Sequence, residues 1–451
     1  MAGTPPFNHG GHGVDYQNMK NSVLLPGTEA VSVPYKPRKG RNWLIKQFNE
    51  VVNCLAFVCD IEDGKHYGHA WRVAIIAARL AERLRIEPVD PIFYAALLHD
   101  VGTAGARKHI LNIPRLADQI EDEFVENHPY KGAEQIRSIP GLCVSADLVL
   151  EHHERFDGTG YPSRKKGLDL SPGSQVIRAA DAFDFWFADY RLGLRRGGDN
   201  GFAPFVEFHK AFGEAANREL ADDVLYALIE LVREDDLCQM ILRDDNLPLV
   251  MQELIDSLPG LEIPPNVDLL GKILTLFGEV VDCKLPYTEG HSKRTAQYAL
   301  SLATALNLGH EVVTRVKWAA LIHDVGKVGL PKTVLTKKGP LNRKEWAVVR
   351  QHPEKARDRL QMIASFGEIG EVLFGSAEHY DGSGYPRGLK GDKIPVGSRI
   401  IAVADALEAM TCKRSYRSTW TVKEALHEIL SQSGKQFDPE MARAANLVFG
   451  S

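Results

Sequence analysis

Apolar residues recur at helical spacing through most of the chain. From about residue 42 onward they return every three or four positions, and almost no segment alternates with the period of two that marks a half-buried strand. Two clear cases, "HAWRVAIIAARLAERLRI" at 69–86 and "HSKRTAQYALSLATALNL" at 291–308, each begin at a histidine. The pattern predicts an all-α fold.

The same motifs occur twice along the chain. "LLHDVG" contains His99, and "LIHDVG" contains His323, 224 residues later. The same offset carries Asp181 onto Asp405, and the two segments align without a gap from 99 to 181. A tandem duplication explains this match, so we predict two HD-type helical-bundle domains that are related by internal duplication.

Proline and glycine cluster between the two repeats, in "SLPGLEIPPNVD" at 257–268, and this cluster predicts the boundary. We refer to residues 41–256 as copy 1 and to residues 257–451 as copy 2. Residues 1–40 are rich in Gly, Pro, Asn and His without periodicity, and we predict that they form a flexible tail.

The composition excludes several classes of protein. It is 44% hydrophobic and 25% charged, and no stretch approaches the 18 uncharged apolar residues of a membrane span. The N-terminus does not resemble a signal peptide, so we expect a cytoplasmic protein that does not contact a membrane. A net charge of −5 argues against a protein that binds long nucleic acids. The six cysteines include no C-x-x-C pair, so neither a zinc ribbon nor a disulfide framework is indicated.

Copy 1 carries more titratable residues at its motif positions than an ordinary core would. Asp181 lies in an apolar helical segment, where an ionised carboxylate is costly unless it is paired or bound to a cation. A salt bridge or a hydrogen-bonded His–Asp pair would explain one such residue, but not seven. Nitrogen and oxygen donors in this mixture suit Fe, Mn, Zn or Ni. The candidate metal ligands of copy 1 are His69, His99, Asp100, His128, His152, His153 and Asp181.

The adjacent His152 and His153 suggest more than one ion in copy 1. Successive helical residues point about 100° apart, so the pair cannot easily serve one ion from one side and is expected to reach two ions or two sides of a cluster. Two ions about 3.5–4 Å apart can share a hydroxide and hold a phosphoryl group for in-line attack on phosphorus. We therefore expect a dinuclear copy 1 and hydrolysis of a phosphoester.

Copy 2 keeps most of these residues but has Ser376 and Ala377 in place of the two adjacent histidines. Alanine cannot bind a metal, and a neutral serine is a poor ligand. We expect copy 2 to hold one ion or none. Its candidate ligands are His291, His323, Asp324, His352 and Asp405.

Residues that could bind phosphate are richer in copy 2. Lys327 follows the HD pair, where copy 1 has Thr103, and a lysine there can serve as a point charge for phosphate. Arg414 and Arg417 lie in "KRSYRS", although such basic runs are commonly solvated surfaces. The D-G-x-G-Y-P segments contain Tyr161 and Tyr385, whose rings could stack on a base. A purely structural turn explains these segments equally well.

The HD pair and the D-G-[TS]-G-Y-P segment, at this distance and with two histidines just before the latter in copy 1, resemble the HD-GYP family of the HD phosphohydrolase superfamily. The resemblance covers nearly all of 60–190 and 285–445 and includes "GKQFDPEMA" at 434–442. It implies hydrolysis of a cyclic dinucleotide, chiefly c-di-GMP, to the linear dinucleotide or GMP at Fe or Mn centres. A subset with this two-domain layout acts on 3′,3′-cGAMP.

Position by position, the resemblance places the family's metal ligands on the candidate ligands already given for each copy. Trinuclear members carry a glutamate four residues before the first histidine, where this chain has Lys65 and Tyr287, so a third ion is not expected. Copy 1 lacks the family's lysine after the HD pair, and it has Tyr190 where copy 2 has Arg414.

Three functional hypotheses remain from the sequence. In the first, copy 1 is a phosphodiesterase whose metal centre acts through His99, Asp100 and Asp181, while copy 2 captures substrate with Lys327 or regulates. In the second, the chemistry occurs in copy 2 on one ion. In the third, copy 2 senses a cyclic dinucleotide and the protein signals through a partner. A site shared in cis or across a homodimer, the substrate's bases and the metal's identity stay open.

Overall fold

The structure is a computed structural model of the chain. The residues it describes are 41–62, 65–66, 68–106, 122–194, 218–234, 241, 246–258, 260–261, 267–285, 289–412 and 419–450. Within these ranges the chain is helical apart from one short hairpin, which confirms the predicted all-α fold. The predicted tail at 1–40 lies outside the described residues.

The described part of copy 1 consists of helices and one short hairpin. The hairpin consists of β1 (Ile61–Glu62) and β2 (Lys65–His66), which pair antiparallel between the first two helices. The helices are α1 (Arg41–Cys59), α2 (His69–Leu84), α3 (Val89–Leu98), α4 (Glu123–Glu126), α5 (His128–Arg137), α6 (Cys143–Glu151), α7 (Pro172–Leu194), α8 (Asp222–Glu234) and α9 (Leu247–Ser257).

Copy 2 repeats this order of helices, so the structure contains two tandem HD-type bundles. Its helices are α10 (Leu269–Lys284), α11 (His291–Ala305), α12 (His310–Ile322), α13 (Lys332–Leu335), α14 (Arg343–Val349), α15 (His352–Leu360), α16 (Gly367–Phe374), α17 (Val396–Thr411), α18 (Val422–Ser431) and α19 (Pro439–Phe449). Short 3-10 turns follow α3 and α12 at Val101–Thr103 and His323–Lys327.

The first histidine of each copy is fixed by the way its helix begins. Gly68 and Gly290 precede α2 and α11 with φ of 63° and 69°, a conformation that glycine adopts without strain. The buried carboxylates of Asp60 and Asp282 then accept hydrogen bonds, each of 3.0 Å, from the backbone N–H of the second helical residue. The same local construction therefore places the same histidine in both copies.

The glycine of each HD-x-G motif allows a close approach of two backbone segments and does not end a helix. Helix α3 already ends at Leu98, and Gly102 lies in the following 3-10 turn without a positive φ. A Cβ on Gly102 would lie 2.1 Å from the carbonyl oxygen of His128, and a Cβ on Gly326 would lie 1.9 Å from that of His352. The missing side chain thus lets the HD turn approach the helix that carries the next histidine.

The two copies pack against each other through their equivalent first helices, α1 and α10. The Lys284 ammonium, at the end of α10, donates to the carbonyl oxygens of Cys59 and Ile61 at 2.7 and 3.1 Å. Buried apolar side chains form one continuous cluster that runs through both copies. The five cysteines that the structure describes are free, and none of its described helices is long and apolar enough to cross a membrane.

We predict that Gly326→Ala lowers the free energy of unfolding by roughly 1–3 kcal/mol, because its Cβ must displace backbone atoms of α15. Urea denaturation followed by circular dichroism measures this change. Gly370→Ala is the matched control, since nothing lies within 4 Å of its added Cβ in α16. Equal unfolding midpoints for the two variants would contradict the close-approach explanation.

Candidate metal centre

The candidate ligands of copy 1 come together from five elements, and all seven are buried. His69 begins α2 and His128 begins α5, so their side chains project from helix N-termini. The other ligands follow the ends of helices or lie within one. They are His99 and Asp100 after α3, His152 and His153 after α6, and Asp181 in α7.

The carboxylate of Asp100 lies between two sets of histidines. Its Oδ2 is 3.5 Å from His99 Nε2 and 3.9 Å from His69 Nε2. Its Oδ1 is 3.4 Å from His128 Nε2 and 3.9 Å from His152 Nε2. One carboxylate oxygen therefore faces each set, which is the arrangement a bridging ligand requires.

Two groups of donor atoms result. The first group is His69, His99 and Asp181, and the second group is His128, His152, His153 and Asp100; within each, the donor atoms lie within 4.8 Å of one another. In the first group the Nε2 atoms of His69 and His99 are 3.2 Å apart. In the second, those of His128 and His152 are 3.1 Å apart.

The adjacent histidines both belong to the second group, unlike the expectation that they would serve two ions. Helix α6 ends at Glu151, so His152 and His153 lie in a turn instead of on successive positions of a helix. Their ring centroids are 4.1 Å apart. The turn lets both rings face the other donor atoms of the second group.

The donor set fits a metal centre because several buried donors have no other use. Both ring nitrogens of His153 and Oδ1 of Asp100 are buried, and no described residue offers them a hydrogen bond. Buried polar atoms without a partner are rare and costly in proteins. Imidazole and carboxylate donors in this number suit a divalent transition metal.

Backbone carbonyl groups orient three of the rings. Each ring turns its Nδ1 toward a carbonyl oxygen one turn earlier, which leaves Nε2 directed into the centre and free to bind a metal as the neutral tautomer. These contacts are His99 Nδ1 to Ala96 O at 2.8 Å, His152 Nδ1 to Val149 O at 2.6 Å, and His128 Nδ1 to Val125 O.

His69 is instead oriented by Asp184, a residue that the sequence reading missed. Its Nδ1 is 2.8 Å from Asp184 Oδ2, and Arg72 Nε donates to Asp184 Oδ1 at 2.6 Å. In copy 2, Glu408 takes the position of Asp184. It lies 2.6 Å from Nδ1 of the first histidine and accepts from Arg294 at 2.7 Å.

The buried charges shift the pKa values of these groups strongly. Burial works to lower the pKa of His69, but hydrogen bonds with Asp181 and Asp184 outweigh it and raise that pKa to about 10. Burial and the positive charges of neighbouring histidines lower the pKa of His152 to about 3. The pKa of Asp100 stays well below its usual range, because nearby histidines outweigh the effect of its burial. The carboxylates beside His69 thus favour its protonated form, while His152 is kept neutral and Asp100 is kept ionised.

Among the described residues of copy 2 there is one group of donor atoms, and its two histidines correspond to those of the first group of copy 1. His291, His323 and Asp324 supply donor atoms within 4.8 Å of one another. Asp405 Oδ1 lies 3.4 Å from His291 Nε2, as Asp181 does from His69 in copy 1. Copy 2 therefore contains the donors for one ion.

The residues of copy 2 that correspond to the second group of copy 1 are arranged differently. Ser376 Oγ donates to the carbonyl oxygen of Leu373 at 2.8 Å instead of facing the centre. Lys327 Nζ lies 2.6 Å from Asp324 Oδ1. The ammonium and burial together lower the pKa of His352 to about 4, with burial the larger cause. A positive side chain thus lies beside the HD carboxylate of copy 2.

The two G-Y-P tyrosines have different surroundings. Tyr161 is 3% exposed, and its ring lies nearly parallel to that of His153 with centroids 4.7 Å apart. Its face is therefore covered by a candidate ligand and is not open to a base, contrary to the expectation from sequence. Tyr385 is half-buried, because Ala377 stands where His153 covers Tyr161.

The remaining predicted site residues cannot be compared with the structure. Arg414 and Arg417 lie outside the described residues, as do Tyr287 and the side chains of Lys65 and Tyr190.

Comparisons with known proteins agree with the repeat. Two family models described as HD domains match the chain, one at residues 66–186 and the other at 276–441. The 3′3′-cGAMP-specific phosphodiesterase 1 of Vibrio cholerae is 28% identical over 391 residues, which cover 83% of this chain and 85% of that protein. A cyclic di-GMP phosphodiesterase of Thermotoga maritima is 34% identical over 179 residues, 39% of this chain and 49% of that protein.

A solved structure shares the fold over nearly the whole chain. The crystal structure of a cyclic GMP-AMP-specific phosphodiesterase of V. cholerae, V-cGAP3, matches with a TM-score of 0.61 and 22% sequence identity. The match covers 89% of this chain and 97% of that one. The tandem arrangement of two helical HD bundles is thus found in a known structure.

We predict that Asp184→Asn weakens metal binding by copy 1 about 10- to 100-fold, because the neutral amide no longer raises the basicity of His69. Competition titration with a chromophoric chelator measures the affinity. Glu408→Gln is the matched variant in copy 2 and is expected to leave the affinity of copy 1 unchanged. The same loss from both variants would show that the effect is not local.

Proposed function

Because this chain carries two HD domains and is homologous to the HD-GYP cyclic dinucleotide phosphodiesterases, we propose that it is a metal-dependent phosphodiesterase that hydrolyses a cyclic dinucleotide to the linear dinucleotide, with its chemistry in copy 1. The observation that carries the choice of copy 1 is the division of the Asp100 carboxylate between two groups of buried donors. Copy 2 has only one such group among its described residues.

The residues of copy 1 would hold two divalent ions, with Fe or Mn expected and Ni or Zn as alternatives. His69, His99 and Asp181 would bind the first, and the three histidines of the second group would bind the other, while Asp100 contributes an oxygen to each. When bound, such ions lower the pKa of a water molecule and neutralise charge on the phosphoryl group.

The protein groups prepare this centre in two ways. Burial keeps His152 and His153 neutral at physiological pH, since it lowers the pKa of both rings, and neutral rings can donate their lone pairs. The carbonyl contacts and Asp184 hold the ring orientations before any ion arrives. Little rearrangement is then required on binding, which favours high affinity.

Copy 2 is proposed to bind substrate or to regulate, with one ion or none. Lys327 supports this part of the proposal, since its ammonium lies beside the HD turn and can pair with a phosphate. The same lysine favours a second candidate, in which the hydrolysis takes place in copy 2 on a single ion. The experiment below separates the two.

For the substrate, the names of the relatives indicate two candidates. The V. cholerae relative that matches over most of its length is named for 3′3′-cGAMP, whereas the T. maritima relative is named for cyclic di-GMP. We propose to assay 3′,3′-cGAMP first and c-di-GMP beside it.

We predict that His152→Ala combined with His153→Ala lowers the rate of cyclic dinucleotide hydrolysis by roughly 100-fold or more, because the second ion would lose two of its three histidines. Product formation is followed by chromatography on metal-loaded protein. Ser376→Ala is the matched control at the equivalent position of copy 2, where the hydroxyl bonds only to Leu373 among the described residues.

Asp324→Ala distinguishes the alternatives. If Asp324→Ala abolishes hydrolysis while the double histidine variant retains it, the chemistry lies in copy 2. If the metal-loaded wild-type protein binds both dinucleotides but converts neither, the protein is a binding module and the proposed activity is wrong.

We further predict that activity is lost when a chelator removes the metal and returns when Mn²⁺ or Fe²⁺ is added, since the bound ions would lower the pKa of the attacking water. Elemental analysis of the reconstituted protein gives the stoichiometry. Two ions in copy 1 are expected after Asp324→Ala removes the site of copy 2. Full activity of protein without bound metal would contradict the metal dependence.

A further inference from the structure

Copy 1 has no lysine after its HD pair, yet a different cation reaches its centre. Arg178 lies in α7, one turn before Asp181, and its NH1 is 3.3 Å from Asp181 Oδ2. The other oxygen of Asp181, Oδ1, faces His69 at 3.4 Å. The Asp181 carboxylate thus lies between the guanidinium and His69, so Arg178 is next to the first group of metal ligands.

A second carboxylate fixes the guanidinium from the opposite side. Arg178 NH2 is 3.2 Å from Glu219 Oε2, and Arg155 NH2 is 2.8 Å from Glu219 Oε1. Glu219 is held by backbone pairing, since its carbonyl oxygen accepts from the N–H of Phe156 at 3.1 Å. The contact therefore ties Arg178 to the D-G-T-G-Y-P segment.

Copy 2 lacks this pair at the equivalent positions. There the carbonyl oxygen of Gln436 accepts from the N–H of Tyr380, so Gln436 takes the place of Glu219. Ala402 takes the place of Arg178. The side chain of the following aspartate is 12% exposed in copy 1 and 40% exposed in copy 2, because the arginine covers it only in copy 1.

Arg178 and Lys327 each contact a carboxylate of their own centre, Asp181 in copy 1 and Asp324 in copy 2. Burial raises the pKa of Tyr161, and the charge of Arg178 opposes that rise. Burial likewise raises the pKa of Tyr385, and the charge of Lys327 opposes it. Each copy thus places one positive charge near its G-Y-P tyrosine, but from a different helix.

We propose that Arg178 binds a phosphate oxygen of the substrate in copy 1, the task that is proposed for Lys327 in copy 2. This inference rests on the proposed function. The guanidinium is 14% exposed, and none of the described residues accepts a hydrogen bond from its buried Nε. Its planar fork suits phosphate oxygens, which it can contact through two N–H groups.

Metal binding would prepare Arg178 for this contact. In the absence of an ion, the guanidinium neutralises Asp181 and Glu219 together. An ion bound at the first group would neutralise Asp181 and would so weaken the pull of that carboxylate on Arg178. Glu219 then acts as a positioning residue, holding the guanidinium beside the centre while one of its edges turns to the phosphate.

The test uses full-length, metal-loaded protein in which Asp324→Ala disables the metal site of copy 2. Calorimetry with inorganic phosphate as the probe gives a dissociation constant without turnover. We expect Arg178→Ala to weaken phosphate binding roughly 10- to 100-fold and to raise KM for the cyclic dinucleotide, with the metal content unchanged. Arg137→Ala, at an exposed ion pair with Asp147 on the surface of copy 1, is the control.

A rescue variant separates phosphate binding from a structural role. Thr103→Lys introduces the lysine of copy 2 into copy 1, and in the Arg178→Ala background it is expected to recover at least part of the phosphate affinity. Unchanged phosphate affinity in Arg178→Ala would overturn the proposal. So would a loss of bound metal or a failure of Thr103→Lys to rescue, either of which indicates that Arg178 supports the fold around Asp181.

Failure of the proposed function can be distinguished from failure of the proposed role of Arg178. If the metal-loaded wild-type protein hydrolyses no cyclic dinucleotide, the proposed activity is wrong whatever Arg178 does. If the parent is active and Arg178→Ala matches it in KM and phosphate affinity, only the role of Arg178 is wrong.

Discussion

The buried carboxylate of Asp100 is the constraint on which copy 1 is built. A carboxylate removed from water destabilises the fold by several kcal/mol unless positive charge or hydrogen bonds compensate it. Here the compensation comes from histidines on α2, α3, α5 and α6, so these helices must converge on one point. Gly102 makes that convergence sterically feasible, since it lets the HD turn lie against the backbone of His128. Charge and close packing therefore select the same arrangement.

Copy 2 compensates the buried charge of its HD carboxylate with the ammonium group of a lysine side chain. The Lys327 ammonium contacts Asp324 where copy 1 directs a second group of histidines at its carboxylate. The loss of the histidine pair therefore does not leave the buried charge of copy 2 uncompensated. Copy 2 has Ser376 and Ala377 in place of the histidines, and its lysine balances the same buried charge. The fold is therefore kept with fewer metal donors.

The fold and most candidate ligand positions could be predicted because the two copies align without a gap from 99 to 181, and helical periodicity is strong on both sides. Other features depend on details that periodicity does not contain. The end of α6 at Glu151 turns His152 and His153 toward one group, and a shift of one residue would have changed this. Asp184 was visible in principle, since D-x-x-[DE] recurs in both copies at the same offset. Arg178 was not, because its partner Glu219 lies 41 residues away and outside the segment that aligns without a gap between the two copies.

The contact between α1 and α10 has the form of an isologous interface, in which the same element of two related units packs against itself. In a homodimer, every substitution appears in both sites at once, so a mutation that removes a ligand from one removes it from the other. When the two units are joined in a single chain, a substitution in one unit no longer appears in the other. One half can then keep a full set of histidines while the other exchanges them for a lysine, and the shared apolar core still holds the pair together.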